Sequence, residues 1–363
     1  MADINGTELF YESDQSTYHY LSVQYWDDKL HEQVQQKLFF ENSGMVGEDK
    51  GREGDIHSEV PWYPIIEKKG ANAPPPGDTI TMGMKNKLTS SGVVGTSTLK
   101  GSEQNLSWRY LQVKVELWRE GLADKGILGR LRSRYSIEAE SNDTLGDWLA
   151  NKKDYDVFYT IYNGWSYAVI TNSLKSAVTH PNWIYPRGIT AVTSIDQSHL
   201  MTASHIRRCK TYARVNNWNP AFTSRGKEYF VLIMHPYQRQ MLGDDSEYHD
   251  DLQQAIAAGN DHPIFTSALG LYYGVLLYEH DEVQTNSTVD TVKESIFLGG
   301  HAVARAQVID EFKERDEDDY GNLKGVAVGG IWGCRRADWA PIAGSGSNIN
   351  QSSAIVPTYF ETI

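Results

Sequence analysis

Two short stretches of strict alternation, separated by about 25 polar residues, constrain this chain more than any other feature. Ile80, Met82 and Met84 alternate with Thr81 and Gly83, after the turn-forming pair Gly77-Asp78. Leu111, Val113, Val115 and Leu117 alternate with Gln112, Lys114, Glu116 and Trp118. A period of two is that of a strand with one buried face. The connection from Lys85 to Tyr110 is rich in Gly, Ser, Thr and charge and poor in apolar residues. Loops beyond ~12–15 residues are uncommon in compact domains unless they carry function. The simplest geometry is a long two-stranded ribbon over Gly77–Trp118 that projects from the body. An isolated ribbon is marginal in water, so this one is expected to finish folding against another subunit. Its apolar points, Val93, Val94, Leu99, Leu106 and Trp108, are too few for a local core and are expected to be buried by a neighbour.

The segments around the ribbon predict an α+β chain. Trp26, Leu30, Val34 and Leu38 recur every four residues within Gln24–Phe40, one stripe of an arm helix expected to contact a neighbouring subunit. Glu41 to Glu59 is charged and carries four glycines, so it reads as a linker. Ile127, Leu131, Tyr135, Ala139, Leu145 and Leu149 predict a long helix over Gly126–Asn151, with a second short helix over Asp154–Tyr162. Ser194–Gln197 fits a capping box opening a helix that runs to Val215. Tyr229–Met234 and Tyr272–Tyr278 read as buried strands, and Asp250–Ala258 as a helix. Val292–Ile309, with Ala302, Ala304 and Ala306, is expected to be a helix, and Val326–Trp332 and Ile355–Phe360 late strands.

The chemistry that can be excluded is as informative. A net charge of −13 suits neither a sequence-independent DNA binder nor a protein held on anionic lipid. No apolar run approaches the ~18 residues of a membrane span, so no membrane partner is expected. The two cysteines, Cys209 and Cys334, form no metal or redox pair and read as small buried hydrophobes. His31-Glu32 lacks the second histidine of a zinc-protease helix, because Gln35 stands there. Asp316–Gly321 resembles a calcium loop but has Tyr320 and Ala327 where ligands belong, and reads as a solvated acidic helix end. Gly344–Ile349 lacks the third glycine of a dinucleotide turn, and Ser97–Lys100 lacks the partner motifs of an acylating serine. His199 and His205, six apart, fall on different faces of a helix. No catalytic, cofactor-binding or metal-binding residues are expected. A carbohydrate-active enzyme stays open as an alternative, because paired carboxylates can come from distant positions and Trp and Tyr are abundant.

Five blocks in register carry a family resemblance over residues 60–360. Gly77–Ile80, Leu88, Gly92–Gly95, Leu99–Glu103 and Leu106 resemble the projecting-loop signature of a tailed-phage major capsid family, the one named for coliphage N-four. His235–Gln238 with Leu242, Pro263–Thr266, and Ala268–Gly270 with Tyr272, Gly274 and Val275 are similar to its central segment. Phe297–Gly299 with His301-Ala302 resembles the next block. Asp319–Asn322, Gly325-Val326, Gly329, Ile331, Gly333, Ile355-Val356 and Thr358-Tyr359 resemble its C-terminal end. The longer arm before residue 60 and the insert His180–Pro186 depart from the pattern.

The resemblance implies the Hong-Kong-ninety-seven-type phage capsid fold. Its parts would be an N-arm and linker (1–76), a long β-hairpin E-loop (77–118), a P-domain with spine helix (119–164), a compact A-domain (165–310) and a P-domain return strand with the C-terminal segment (311–363). The implied function is a structural one: self-assembly into an icosahedral shell of hexamers and pentamers around the double-stranded DNA of a tailed phage. The implied location is the virion capsid, with assembly in the host cytoplasm. Implied partners are other copies of the chain, a portal, a decoration protein and packaged DNA held without sequence-specific binding. The chain starts without a scaffolding extension, so a separate scaffolding protein is expected. An encapsulin-like non-viral compartment shell is the alternative within the fold. Some shells of this fold are cross-linked through an E-loop lysine. Lys85 and Lys87 would lie near the ribbon's base, and Lys100 is flanked by Gly101, Ser102 and Glu103 and lacks the apolar pocket that lowers a lysine pKa, so an uncross-linked shell is expected.

Overall fold

The computed structural model describes residues 30, 33–47, 64–70, 79–85, 92–95, 97–101, 103, 108–123, 126–127, 137–166, 180–224, 227–257, 270–318, 320, 322–341 and 348–361. In chain order these form α1 (Phe39–Asn42), β1 (Val46–Gly47), β2 (Ile66–Gly70), β3 (Thr79–Lys85), β4 (Trp108–Lys114), β5 (Glu116–Ala123), α2 (Ile137–Asn163), α3 (Ala203–Val215), β6 (Phe222–Ser224), β7 (Lys227–Met234), α4 (Pro236–Gly243), α5 (Ser246–Ala257), β8 (Leu271–Tyr272), β9 (Val275–Glu279), β10 (Val292–Leu298), β11 (Val303–Asp318), β12 (Leu323–Arg336), β13 (Ala340–Pro341) and β14 (Ser353–Tyr359).

Three sheets organise them. One has the order β1-β2-β11-β12-β5 and is dominated by the β11–β12 hairpin. The second runs β14-β10-β7-β9-β8, with β6 paired to β7. The third is β13-β4-β3. α2 lies over the first sheet, and its buried face joins one core with Trp332, Val303 and Ile355. A second core joins α3, α4 and the other side of the second sheet, around Phe230, Leu232 and Phe297.

The ribbon forms as expected at its base, with Thr79 opposite Lys114 and Lys85 opposite Trp108. Its second strand does not continue to Leu117. The chain leaves β4 at Lys114 and starts β5 at Glu116, which pairs with β12 in another sheet. The crossing is made possible by Gly333, where a Cβ would run into the Lys114 carbonyl oxygen and the Val115 backbone. Met82, Leu111 and Val113 are buried against Ala304, Ala306 and Trp339, so the ribbon's base has a small core within its own subunit.

Several expectations are corrected. The two helices expected around residue 151 are one: α2 runs through Asn163 without a break, about 40 Å at ~1.5 Å per residue. Its last ten residues are buried on nearly every face, which erases the one-sided stripe that marks a surface helix. The expected Val292–Ile309 helix is two strands, β10 and β11, joined across Gly299, Gly300 and His301. Ala302, Ala304 and Ala306 are spaced by two, the strand period, and the small side chains of Ala304 and Ala306 let the ribbon's base approach. Tyr272–Tyr278 is a tight hairpin, not one strand: Tyr273 and Gly274 both have positive φ, 51° and 80°, the signature of a two-residue turn. Ser194 does not cap a helix. Asp196 Oδ1 instead accepts from Ser198 N in a local turn, and Thr202 is the N-cap of α3. Asp316 belongs to β11, so the acidic run sits at a hairpin end and not at a helix end. The boundary expected at 310 falls inside β11, and β14 pairs with β10, placing the C-terminal strand in the second sheet.

Candidate assembly surfaces

The ribbon's outer half carries the exposed apolar points. Val94 is 85% exposed, Leu99 58% and Trp108 46%, while Val93 is half-buried. Gly92, Gly95 and Gly101 turn with φ of 73°, 73° and 90°, and nothing lies near a Cβ built on any of them. Lys100 is exposed, and its neighbour Gly101 donates its N–H to Glu103 Oε2 at 2.6 Å. Leu106 and Lys87 lie outside the described residues, as does Trp26.

The arm helix behaves differently. Leu30, Val34 and Leu38 are fully buried inside their own subunit, in the core that includes Leu145 and Leu149 of α2. Expected to contact a neighbour, these three side chains are instead enclosed by their own subunit here. Residues 33–37 are helical and run alongside α2: Gln33 Nε2 donates to Asp143, Lys37 pairs with Asp147, and Phe39 N donates to Asp154 Oδ2 at 2.7 Å. A regular apolar stripe reports a buried face and does not say which chain buries it.

Between α2 and the long hairpin lies a buried polar seam that the sequence did not announce. Lys153 on α2 pairs with Glu311 on β11, both side chains essentially inaccessible, and the ammonium lies 5.5 Å from the centre of the Trp332 ring. Trp118 of β5 stacks on Trp332 at 5.7 Å, and Lys152 covers Trp118 at 4.6 Å. Arg305 Nη1 donates to Glu41 Oε1 at 2.9 Å. Burial lifts the Asp154 carboxyl to about 6, opposed by hydrogen bonds from the Phe39 and Phe40 amides and by Arg305. At the other end of α2, Arg336 donates to the Ile161 and Tyr162 carbonyls and pairs with Asp338, tying the helix's last turn to β12. The only sequence signal for this seam was charge placed where the flanking residues are apolar.

β5 is the outer strand of its sheet, and Leu117 and Leu122 on it are 49% and 37% exposed. An unpaired strand edge presents free backbone groups to other chains.

Among the described residues no group of three or more His, Cys, Asp or Glu could hold a metal ion. The described residues include two serine–histidine contacts, Ser353 with His180 at 3.1 Å and Ser198 with His199 at 3.3 Å. Each hydroxyl also donates to another oxygen, Ser353 to Asn350 Oδ1 and Ser198 to Asp196 Oδ1, and burial with nearby Arg336 holds His180 well below its usual range. No described helix is long and apolar enough to cross a membrane.

Residues 61–359 match the phage capsid protein family. The chain belongs to that family. A curated relative, the major capsid protein of Pseudomonas phage KPP25, is 22% identical over 293 residues, spanning 72% of this chain and 78% of its own. The capsid of Ralstonia phage GP4 superposes with a TM-score of 0.69 at 21% identity, covering 90% of this chain and 92% of that one. The capsid of cyanophage Pam1 gives 0.65 at 17% identity over 82% and 91% of the two chains. The Helicobacter pylori phage KHP30 capsid gives 0.64 at 16% over 88% and 98%. This capsid protein thus has the phage capsid fold in mixed α and β form, and it is a component of a phage particle.

Proposed function

We propose that this major capsid protein builds a closed icosahedral shell of hexamers and pentamers around double-stranded DNA, acting as a structural subunit without catalysis. The observation that carries this reading is the ribbon. Its base is packed within the subunit, and Val94, Leu99 and Trp108 stand in solvent outside that small core. Burying such side chains against a second copy is favourable at ~25 cal/mol per Å² of apolar surface. In this reading β3 and β4 are the E-loop, α2 is the spine helix, the sheet of β11 and β12 is the P-domain and the second sheet is the A-domain. The arm helix is an internal part of the P-domain. The net charge of −13 supports a shell that holds DNA without gluing it to the wall, and a separate scaffolding protein, a portal and a decoration protein complete the set of partners. Assembly takes place in the host cytoplasm.

Electron microscopy of the purified chain, with and without co-expressed scaffolding protein, tests this. Closed shells of uniform size are expected. Only monomers or amorphous aggregate under both conditions would overturn it, and shells isolated with an enzyme cargo in place of DNA would point to a compartment.

A further inference from the structure

The second sheet carries two helices of opposite charge side by side. α3 contains Arg207, Arg208, Lys210 and Arg214 and no acidic residue. The start of α5 and the turn before it contain Asp244, Asp245, Glu247, Asp250 and Asp251. Arg207 pairs with Glu247, and Asp245 Oδ2 accepts from Ala203 N at 2.7 Å, so the two helices are locked along this line. Beyond the line each keeps its own sign in solvent. On α3, Arg208, Thr211 and Val215 form an exposed stripe at helical spacing, with Arg214 beside it and Val215 73% exposed. On the acidic side, Asp244 and Asp250 are exposed.

We infer that this two-helix layer is a head-to-tail contact between copies: the cationic stripe of α3 on one subunit faces Asp244 and Asp250 of the next around a capsomer axis. The inference rests on the shell-forming reading above. A two-fold contact that sets α3 against α3 brings like charges together, and one that sets α3 against the acidic side uses up both halves in a closed dimer and leaves nothing to continue a ring. A head-to-tail contact joins unlike charges and closes into a ring, which is the arrangement a capsomer needs. The layer also counters the net repulsion among copies that each carry −13. A DNA phosphate backbone would also suit α3 but would leave the acidic half facing the same polyanion.

Reciprocal charge exchange tests the contact. Arg208→Glu with Thr211→Glu, and separately Asp244→Lys with Asp250→Lys, leave the Arg207–Glu247 and Arg214–Glu228 pairs in place. Each double variant is expected to lower shell yield about tenfold at low salt, and the four changes together to restore it to within about twofold of the wild type. The milder Arg208→Gln is expected to lower it about threefold without adding repulsion. Arg208→Gln or either reversal assembling like the wild type would overturn the inference. So would failure of the combined variant to regain yield while its melting stays wild-type. A wild-type chain that makes no shells overturns the shell-forming reading instead.

Discussion

Trp108 and Trp332 are indoles on strands of two different sheets of one molecule, and Trp108 is 46% exposed while Trp332 is 1%. Trp332 sits in the seam between α2 and the β11–β12 hairpin, stacked on Trp118 and facing the Lys153 ammonium. Trp108 stands where the ribbon leaves its small core. The seam completes its packing within one chain, whereas the ribbon's outer half leaves Val94 and Leu99 in solvent. The same contrast separates two sets of apolar side chains: Leu30, Val34 and Leu38 are core, and Val94 and Leu99 are surface.

The sharpest break between the two regions comes from removing the ribbon's outer half. Replacing Thr89–Leu106 with a Gly-Asn turn should leave Met82, Leu111 and Val113 packed on Ala304, Ala306 and Trp339. Folded subunits with wild-type melting and no closed shells are the expected outcome, read by sedimentation and electron microscopy. Normal shells from the shortened chain would show that the outer half is dispensable for assembly.

The seam should respond in the opposite way. Lys153→Met removes the cation paired with Glu311, and breaking a buried ion pair typically costs about 3–5 kcal/mol. Adding Glu311→Leu removes the buried carboxylate as well, and the double variant should return to within about 1 kcal/mol of the wild type. Urea unfolding of both checks this; equal destabilisation by the single and double variants would mean that packing around Trp332, and not the charge, dominates.

What the sequence made legible follows from the same division. The ribbon was legible because alternation, turn residues and a long polar connection are local signals. The central strand Tyr229–Met234 was legible because it is apolar throughout, as a strand buried on both faces must be. The C-terminal half of α2 was not, because a helix buried on nearly all faces has no stripe. β10 and the start of β11 were misread because the helix propensity of Ala302, Ala304 and Ala306 outweighed their period of two. The seam was hidden for another reason: Lys153 and Glu311 are 158 residues apart and meet only through tertiary structure. The candidate contact residues are half legible. Exposed tip residues on the ribbon showed as apolar points without a core, while the arm stripe could not name the chain that buries it.

A smaller effect comes from Glu294 on β10, fully buried, with Oε1 accepting from Asn286 and Oε2 without a partner. Burial lifts its carboxyl from 4.5 to about 7. A raised folded-state value means stability that is full below pH 4.5 and is lost as pH rises through about 7, by at most about 3 kcal/mol. Glu294→Gln should therefore stabilise the subunit by about 1–3 kcal/mol at pH 8 and leave it unchanged at pH 4. His180 and His205 titrate in the other direction, since burial lowers both, so their contribution is lost as pH falls below 6.5. Equal effects of Glu294→Gln at both pH values would show that Glu294 does not titrate in this range.

The smallest expected effect on the subunit comes from the ribbon tip. Val94→Ser with Leu99→Ser changes side chains already in solvent, and exposed substitutions usually shift stability by no more than about 0.5 kcal/mol. Leu38→Ala, the matching change in the buried arm stripe, should cost about 2–5 kcal/mol, because it opens a cavity against α2. Shell formation should reverse this order. Burying a Val or Leu side chain is worth roughly 1.5–3 kcal/mol, and that gain recurs at each contact between copies. The tip variant should thus raise the protein concentration needed for assembly well beyond tenfold while its melting curve overlays the wild type. A lowered melting temperature for the tip variant would mean that Val94 and Leu99 fold back on their own subunit, and the contrast with the seam would then lie in the turn geometry of Gly92, Gly95 and Gly101 and not in a missing partner.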